Sequence, residues 1–206
     1  MKGRHKIYYS KAIGAAGPVN VDAISRYQEY AAHHARGTAQ WAIRIARGLG
    51  LTTEEIESAR VAAYFHDVGK LAIDGEILAK PGRLSPAEWA LLKRHPQLGA
   101  RLFEELPGYE TVADGIRYHH ECWDGSGYPA GLRGEEIPLA ARIVAVADAF
   151  HAMTSHRAYA HALSAPDALA ILRSEGGRLR DPAVVQVLAE ELAEEEPAAE
   201  GDRRAA

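Results

Sequence analysis

The stretch "IPLAARIVAVADAFHAMTS" (residues 137–155) is apolar almost all the way round a helix, yet it carries one carboxylate, Asp148. A surface helix keeps a polar face, so a segment without one has to be covered on all sides; this predicts the central helix of an all-α fold. An ionised carboxylate inside such a helix is costly unless a cation or a metal meets it. Arg142, six residues earlier, falls on the opposite side of the helix and is a poor partner. Whatever balances Asp148 has to come from other segments.

Just before it lies "RYHHECWDGSGYPAGLRGEEIP" (117–138), where His119 and His120 end a helical stretch over 109–120 and a loop with Gly125, Gly127 and Pro129 follows. Val112, Ala113, Ile116, His119 and His120 share one face of that stretch. Further back, Ser85, Pro86 and Glu88 open a helix, and His95-Pro96 breaks it and starts the next, which carries Leu98, Leu102 and Leu106 up to Pro107-Gly108. Thr52 and Glu55 form a capping-box pattern for a helix whose inner face reads Ile56, Ala59, Ala63, His66 and Asp67, with Gly69 placed to end it. From Val21 onward Tyr27, Ala31, His34, Thr38, Trp41, Ile45 and Leu49 recur at steps of three and four. Two more helices are expected, one after Ser164 and one opened by Asp181-Pro182. No segment alternates with period two between hairpin turns, so no sheet is expected. The organisation read from this is an arm over 1–20, one helical domain over 21–192 and an acidic tail over 193–206.

With 206 residues, 47% hydrophobic and 25% charged, the chain suits one domain with a sizeable core. A net charge of −4 argues against binding DNA or RNA polymers, which favour basic surfaces. It does not exclude a small anionic ligand, because a bound metal supplies positive charge locally. No apolar run approaches the ~20 residues of a membrane span. Cys122 is the single cysteine, so no internal disulfide forms, and a cytoplasmic location is the expectation.

His34, His66, Asp67, His119, His120 and Asp148 all fall on inner faces, and His95 sits at a helix junction. One histidine on an apolar face is ordinarily a satisfied core residue. Five histidines and two aspartates together are most simply satisfied by metal, for neutral imidazole and carboxylate suit Zn, Mn and Fe. Seven ligands exceed one tetrahedral ion and suit two, with open positions, and the lack of cysteine ligands disfavours a closed structural zinc site. Two ions with room for water suit hydrolysis of a phosphate ester. Lys70, one turn beyond His66-Asp67, can stabilise phosphoryl charge or be merely a helix-end lysine favoured by the dipole.

"HDVGK" (66–70), "HP" (95–96), "HHECWDGSGYP" (119–129) and "ADAFHAMTSHRAY" (147–159), in this order, resemble the HD-GYP domain, the branch of the HD phosphohydrolase superfamily that hydrolyses cyclic di-GMP. The resemblance covers about residues 30–190. It implies an all-α HD-domain helical bundle, here with an additional C-terminal helical segment, and a centre of two divalent transition-metal ions, iron or manganese first and zinc as an alternative. It implies His34, His66, Asp67, His95, His119, His120 and Asp148 as ligands, the set that helix faces also select. Asp67 and Lys70 are implied in catalysis, and Lys70, Gly127, Tyr128, Pro129 and Arg157 in meeting the substrate. Read directly, Gly125 and Gly127 permit close backbone approach to a ligand, Pro129 stiffens the turn, and the Tyr128 ring can pack on a purine or on the loop itself.

The chain departs from the family pattern in "SHRAYA" (155–160), where His156, Ala158 and Ala160 replace an acid, a proline and a basic residue, and at His151, which stands for a second aspartate. His33, His151, His156 and His161 read as surface groups or as neighbours of ligands, not as ligands. The expected function is metal-dependent hydrolysis of cyclic di-GMP, mainly to linear pGpG, in bacterial second-messenger signalling. The alternatives are a phosphohydrolase for another nucleotide or cyclic dinucleotide, and a catalytically weak cyclic di-GMP-binding or partner-docking module. A regulatory protein partner or a homodimer is compatible with each.

Overall fold

Helix α1, Val21–Gly48, lies along one side of a bundle built around α7, Leu139–Thr154. The computed structural model describes residues 21–155 and 162–194, and of residues 21–31 the backbone alone. Between those two helices come α2 (Thr53–Phe65), α3 (Gly75–Leu78), α4 (Pro86–Leu92), α5 (His95–Ala100) and α6 (Glu110–Tyr118). After α7 follow α8 (Ala165–Glu175) and α9 (Pro182–Glu194), and short 3-10 turns occupy Val68–Ala72 and Gly134–Glu136. Among the described residues there is no strand, only an isolated bridge between Gly176 and Arg180.

Local chemistry sets the helix starts. Thr52 caps α2 and Ser85 caps α4, each in a reciprocal capping box with Glu55 or Glu88, and Ser164 caps α8 through Asp167 N–H. Helix α7 is central, as its lack of a polar face requires: Ile143, Val144, Val146, Ala147 and Phe150 are fully buried, and α1, α2, α6, α8 and α9 all pack on it. Each fully buried Ile, Val or Phe there contributes about 1.5–3 kcal/mol. The facing surfaces of α1 and α2 are alanine-rich, with Ala39, Ala42 and Ala46 against Ala59, Ala62 and Ala63, so the backbones come close and the residues between them are held firmly.

The C-terminal helices close the far side. Arg44 of α1 donates to the Glu191 backbone carbonyl (2.6 Å) and pairs with its carboxylate (3.3 Å). Arg142 does turn away from Asp148: it donates to the Ile137 carbonyl (2.8 Å) and to buried Asp181 (2.7 Å), which also caps α9 through Ala183 N–H.

Two local expectations need correction. Gly69 does not end α2 as a left-handed cap. The helix stops at Phe65, and Gly69 lies inside the following 3-10 turn, where an added Cβ would fall 1.9 Å from the His95 carbonyl oxygen. It is glycine because α5 crosses there. The helix carrying Leu98 likewise ends at Ala100, and Leu102 and Leu106 sit in successive turns.

Candidate metal centre

Five elements deliver the seven side chains to one place. His34 comes from α1, His66 and Asp67 from the end of α2, His95 from the first residue of α5, His119 and His120 from the end of α6, and Asp148 from the middle of α7. Asp67, His95, His119 and His120 bring one ligand atom each within 4.8 Å of one another, and so do His34, His66 and Asp67. Asp67 belongs to both groups. Asp148 joins the second, its Oδ1 lying 2.8 Å from His34 Nε2 and 3.7 Å from His66 Nε2.

The rings are aimed by their own helices. His66, His95 and His119 each place Nδ1 at 2.7 Å from the carbonyl oxygen three residues earlier, of Ala63, Leu92 and Ile116. A carbonyl only accepts, so Nδ1 carries the hydrogen and donates it. In the neutral ring Nε2 is then a bare lone pair, and this is the tautomer that ligates metal. The Nε2 atoms of His95 and His119 are buried without a hydrogen-bond partner. That of His95 faces the Asp67 carboxylate at 3.2 Å without hydrogen-bond alignment. Lone pair against carboxylate is repulsive, and a cation between them removes the repulsion. The residues fit a metal.

Electrostatics point the same way. Burial, reinforced by neighbouring imidazoles, holds His119 well below the usual histidine range and pushes His120 down to about 3. Burial works against ionised Asp67, but His66 and Lys70 outweigh it and hold the carboxyl well below its usual range. Asp148 is likewise held low against burial, by the His34 hydrogen bond and by His66. His66 differs: against burial, Asp67 and Asp148 raise it to about 9. Lys70 donates to Asp67 Oδ2 at 2.6 Å, which ties the ammonium to the shared carboxylate and leaves it two more N–H donors.

The loop after the paired histidines folds back over them. The Tyr128 ring stacks on His120 (centroids 4.8 Å apart, planes at 22°), and Lys93 Nζ lies 5.0 Å from the Tyr128 ring centre. Burial raises the Tyr128 phenol above its ordinary value, so it stays a neutral donor. Gly127 packs directly on the backbone of residues 121 and 122, where a Cβ would meet Cys122 N at 2.3 Å, so its close approach is to the chain's own backbone. Pro129 follows Tyr128 through a cis peptide bond. Arg157, His156, Ala158, Ala160 and His161 lie outside the described residues.

Two residues matter more here than their sequence context suggests. Glu121 is 2% exposed, and its carboxylate accepts from the N–H groups of Ala130 (2.6 Å) and Gly131 (3.1 Å), fastening the far end of the loop to the histidine pair. An acid directly after two candidate ligands was the available signal. His151, one turn after Asp148, is buried with its Nδ1 3.0 Å from His34 Nδ1.

Comparison with known proteins identifies the family. The HD domain family profile matches residues 18–184. The cyclic di-GMP phosphodiesterase response regulator RpfG of Xanthomonas campestris pv. campestris is 47% identical over 150 residues, 70% of this chain and 39% of that protein. The 3'3'-cGAMP-specific phosphodiesterase 2 of Vibrio cholerae is 36% identical over 168 residues, 81% of this chain and 32% of that protein. The chain thus spans about two fifths or less of the length of these relatives. The crystal structure of a cyclic GMP-AMP-specific phosphodiesterase of Vibrio cholerae superposes with a TM-score of 0.59 at 24% identity, covering 78% of this chain and 44% of that one, which shows a shared fold. On its sequence profile, its helical architecture and its clustered His-Asp site, the chain belongs to the HD domain family.

Proposed function

We propose that this domain is a metal-dependent phosphodiesterase that hydrolyses cyclic di-GMP, mainly to linear pGpG. The observation that carries the reading is the shared carboxylate: Asp67 stands in both candidate ligand groups, one with His34 and His66 and one with His95, His119 and His120, and each group would hold one ion. Iron or manganese suits the mixed imidazole and carboxylate donors, with zinc as an alternative. Two such ions supply Lewis-acid stabilisation of a phosphoryl group and a water nucleophile at neutral pH.

The protein's own groups do the positioning. Asp67 and Asp148 keep their charge inside the site, and the Nδ1 bonds of His66, His95 and His119 fix the direction of each ring. Lys70, held by Asp67, has N–H groups left for a phosphoryl oxygen. Tyr128, stacked on His120, offers its hydroxyl and ring edge to a bound nucleotide, with Gly127 and Pro129 setting its place. Arg157 is assigned to a substrate phosphate, a task suited to a planar guanidinium.

The product assignment rests on α1. Four residues before His34, where some members of the family that the sequence resembles carry a Glu that helps to hold a further metal, this sequence has Tyr30. A phenol, with a pKa of about 10, is a poor ligand. A centre of two ions favours a single cleavage. A second reading, hydrolysis of a mixed cyclic dinucleotide such as 3'3'-cGAMP, is favoured by the 36% identity to a Vibrio cholerae phosphodiesterase specific for it and by the altered "SHRAYA" segment. Chromatography of products from cyclic di-GMP and 3'3'-cGAMP, with manganese or iron supplied anaerobically, decides. Linear pGpG as the main product is expected. Faster cleavage of 3'3'-cGAMP establishes the second reading, and rapid complete conversion to GMP overturns the single-cleavage assignment. Arg157→Ala is expected to raise KM with metal content unchanged.

A further inference from the structure

We infer that His151 is a positioning residue that governs how tightly the half of the centre containing His34 holds its ion. The inference rests on the two-ion reading and goes beyond it. The His151 ring is 9% exposed and sits in a notch of α1 opened by Gly37, where a Cβ would fall 1.9 Å from His151 Nε2. From there its Nδ1 reaches His34 Nδ1 at 3.0 Å, with the ring centroids 5.1 Å apart. No other ring of the centre is supported in this way. His66, His95 and His119 each lean on a backbone carbonyl.

The difference is chemical. A carbonyl or carboxylate can only accept, so it holds the hydrogen of its partner ring on Nδ1 and leaves Nε2 free to ligate. An imidazole can accept or donate. Two ring nitrogens 3.0 Å apart share one hydrogen, and there are two ways to place it. With the hydrogen on His34, Nδ1–H donates to His151 and His34 Nε2 is a lone pair that binds metal. With the hydrogen on His151, His34 Nδ1 accepts, the neutral His34 ring carries its hydrogen on Nε2, and that nitrogen donates to Asp148 Oδ1, 2.8 Å away. Only the first arrangement ligates. The pair therefore lowers affinity at the site of His34, His66 and Asp67, while the site of His95, His119 and His120 is untouched. One ion is held firmly and the other is exchangeable.

The test is a Mn²⁺ titration of chelator-treated protein, resolved into two sites, for wild type, His151→Asp, His151→Leu and Gly37→Ala, with helicity checked by circular dichroism. Wild type is expected to take up two ions of unequal affinity. His151→Asp, a pure acceptor, should tighten the weaker site by about tenfold, and His151→Leu should weaken it by about tenfold or more, the range seen when outer partners of metal ligands are changed. Gly37→Ala should act like His151→Leu by displacing the ring. The stronger site should stay within threefold in every variant. Two ions in wild type with both sites unchanged in the variants, or both shifted equally, overturns this inference alone. No Mn²⁺ uptake by wild type overturns the two-ion reading with it. Should the variants fail to fold, ring-nitrogen NMR of the zinc-loaded wild type decides: a hydrogen on His151 Nε2 supports the assignment, and one on its Nδ1 overturns it.

Discussion

At the scale of single residues, the centre is a problem of charge and lone pairs. Asp67 and Asp148 remain ionised in a buried place, and in the absence of metal the proton on His66, raised to about 9, helps to balance them. A metal ion takes the same lone pair, so it displaces that proton. Loading the chelated protein at pH 7.5 in weak buffer is expected to release about one proton per chain from this source, and none from His120, already neutral above about 3. Release of none would remove His66 from the ligand set. Replacing His66 and Asp67 together with alanine is expected to abolish metal uptake and turnover while the far-ultraviolet spectrum stays helical. Full metal content in that variant would contradict the site. Most of this set was legible in the sequence, because helical spacing alone puts His34, His66, Asp67, His119, His120 and Asp148 on inner faces. The role of Glu121 was not, and His151 was legible only as a surface group or a neighbour of ligands, without its partner. Each depends on a partner across the fold: Ala130 and Gly131 in a loop for Glu121, and His34, 117 positions away, for His151.

At the scale of elements, capping and apolar patterning carried over well, and crossings did not. Thr52, Ser85 and Ser164 cap the helices they were expected to open. Gly69 was legible as a break but not as a crossing point, since nothing local says that α5 will pass its backbone. The loop over 121–138 is likewise a tertiary object, held by the Glu121 carboxylate and the packing of Gly127 on the backbone beneath it. Glu121→Gln exchanges one acceptor oxygen for a donor facing the N–H groups of Ala130 and Gly131. It is expected to cost about 1–3 kcal/mol. If that loop presents Tyr128 to substrate, kcat/KM should fall about tenfold with metal content unchanged. Steady-state kinetics with parallel metal analysis checks it, and unaltered kinetics would detach the loop from the site.

At the scale of the whole molecule, the clustered His and Asp side chains come from α1, α2, α5, α6 and α7, so an ion bound among them would tie together most of the bundle. Any ion that binds only the folded chain stabilises it by mass action, by about 2.7 kcal/mol at ~100 times Kd. For a chain of this size each ion is expected to raise Tm by about 5–10 °C. Without metal the pH dependence has a definite sign. His66 is raised from 6.5 to about 9, so its contribution is complete below pH 6.5 and is lost as pH rises through about 9. Asp67 and Asp148 are lowered from 3.8, so theirs is present above that pH and is lost as pH falls. His119 and His120 are held below 6.5 by burial, so stability is also lost as pH falls under that value. Chelated protein is therefore expected to melt highest near pH 6.5, and loaded protein to gain most from metal above about pH 9, where the His66 proton no longer competes. Thermal melts with and without chelator across this range test it. No described helix is long and apolar enough to cross a membrane, so the centre belongs to a helical domain with no such span among its described residues. The most direct test of the account is an anomalous-scattering map of manganese-loaded crystals. The expected result is two peaks, one among His95, His119 and His120 and one among His34, His66 and Asp148, with Asp67 touching both. A single peak, or peaks that Asp67 does not bridge, would contradict it.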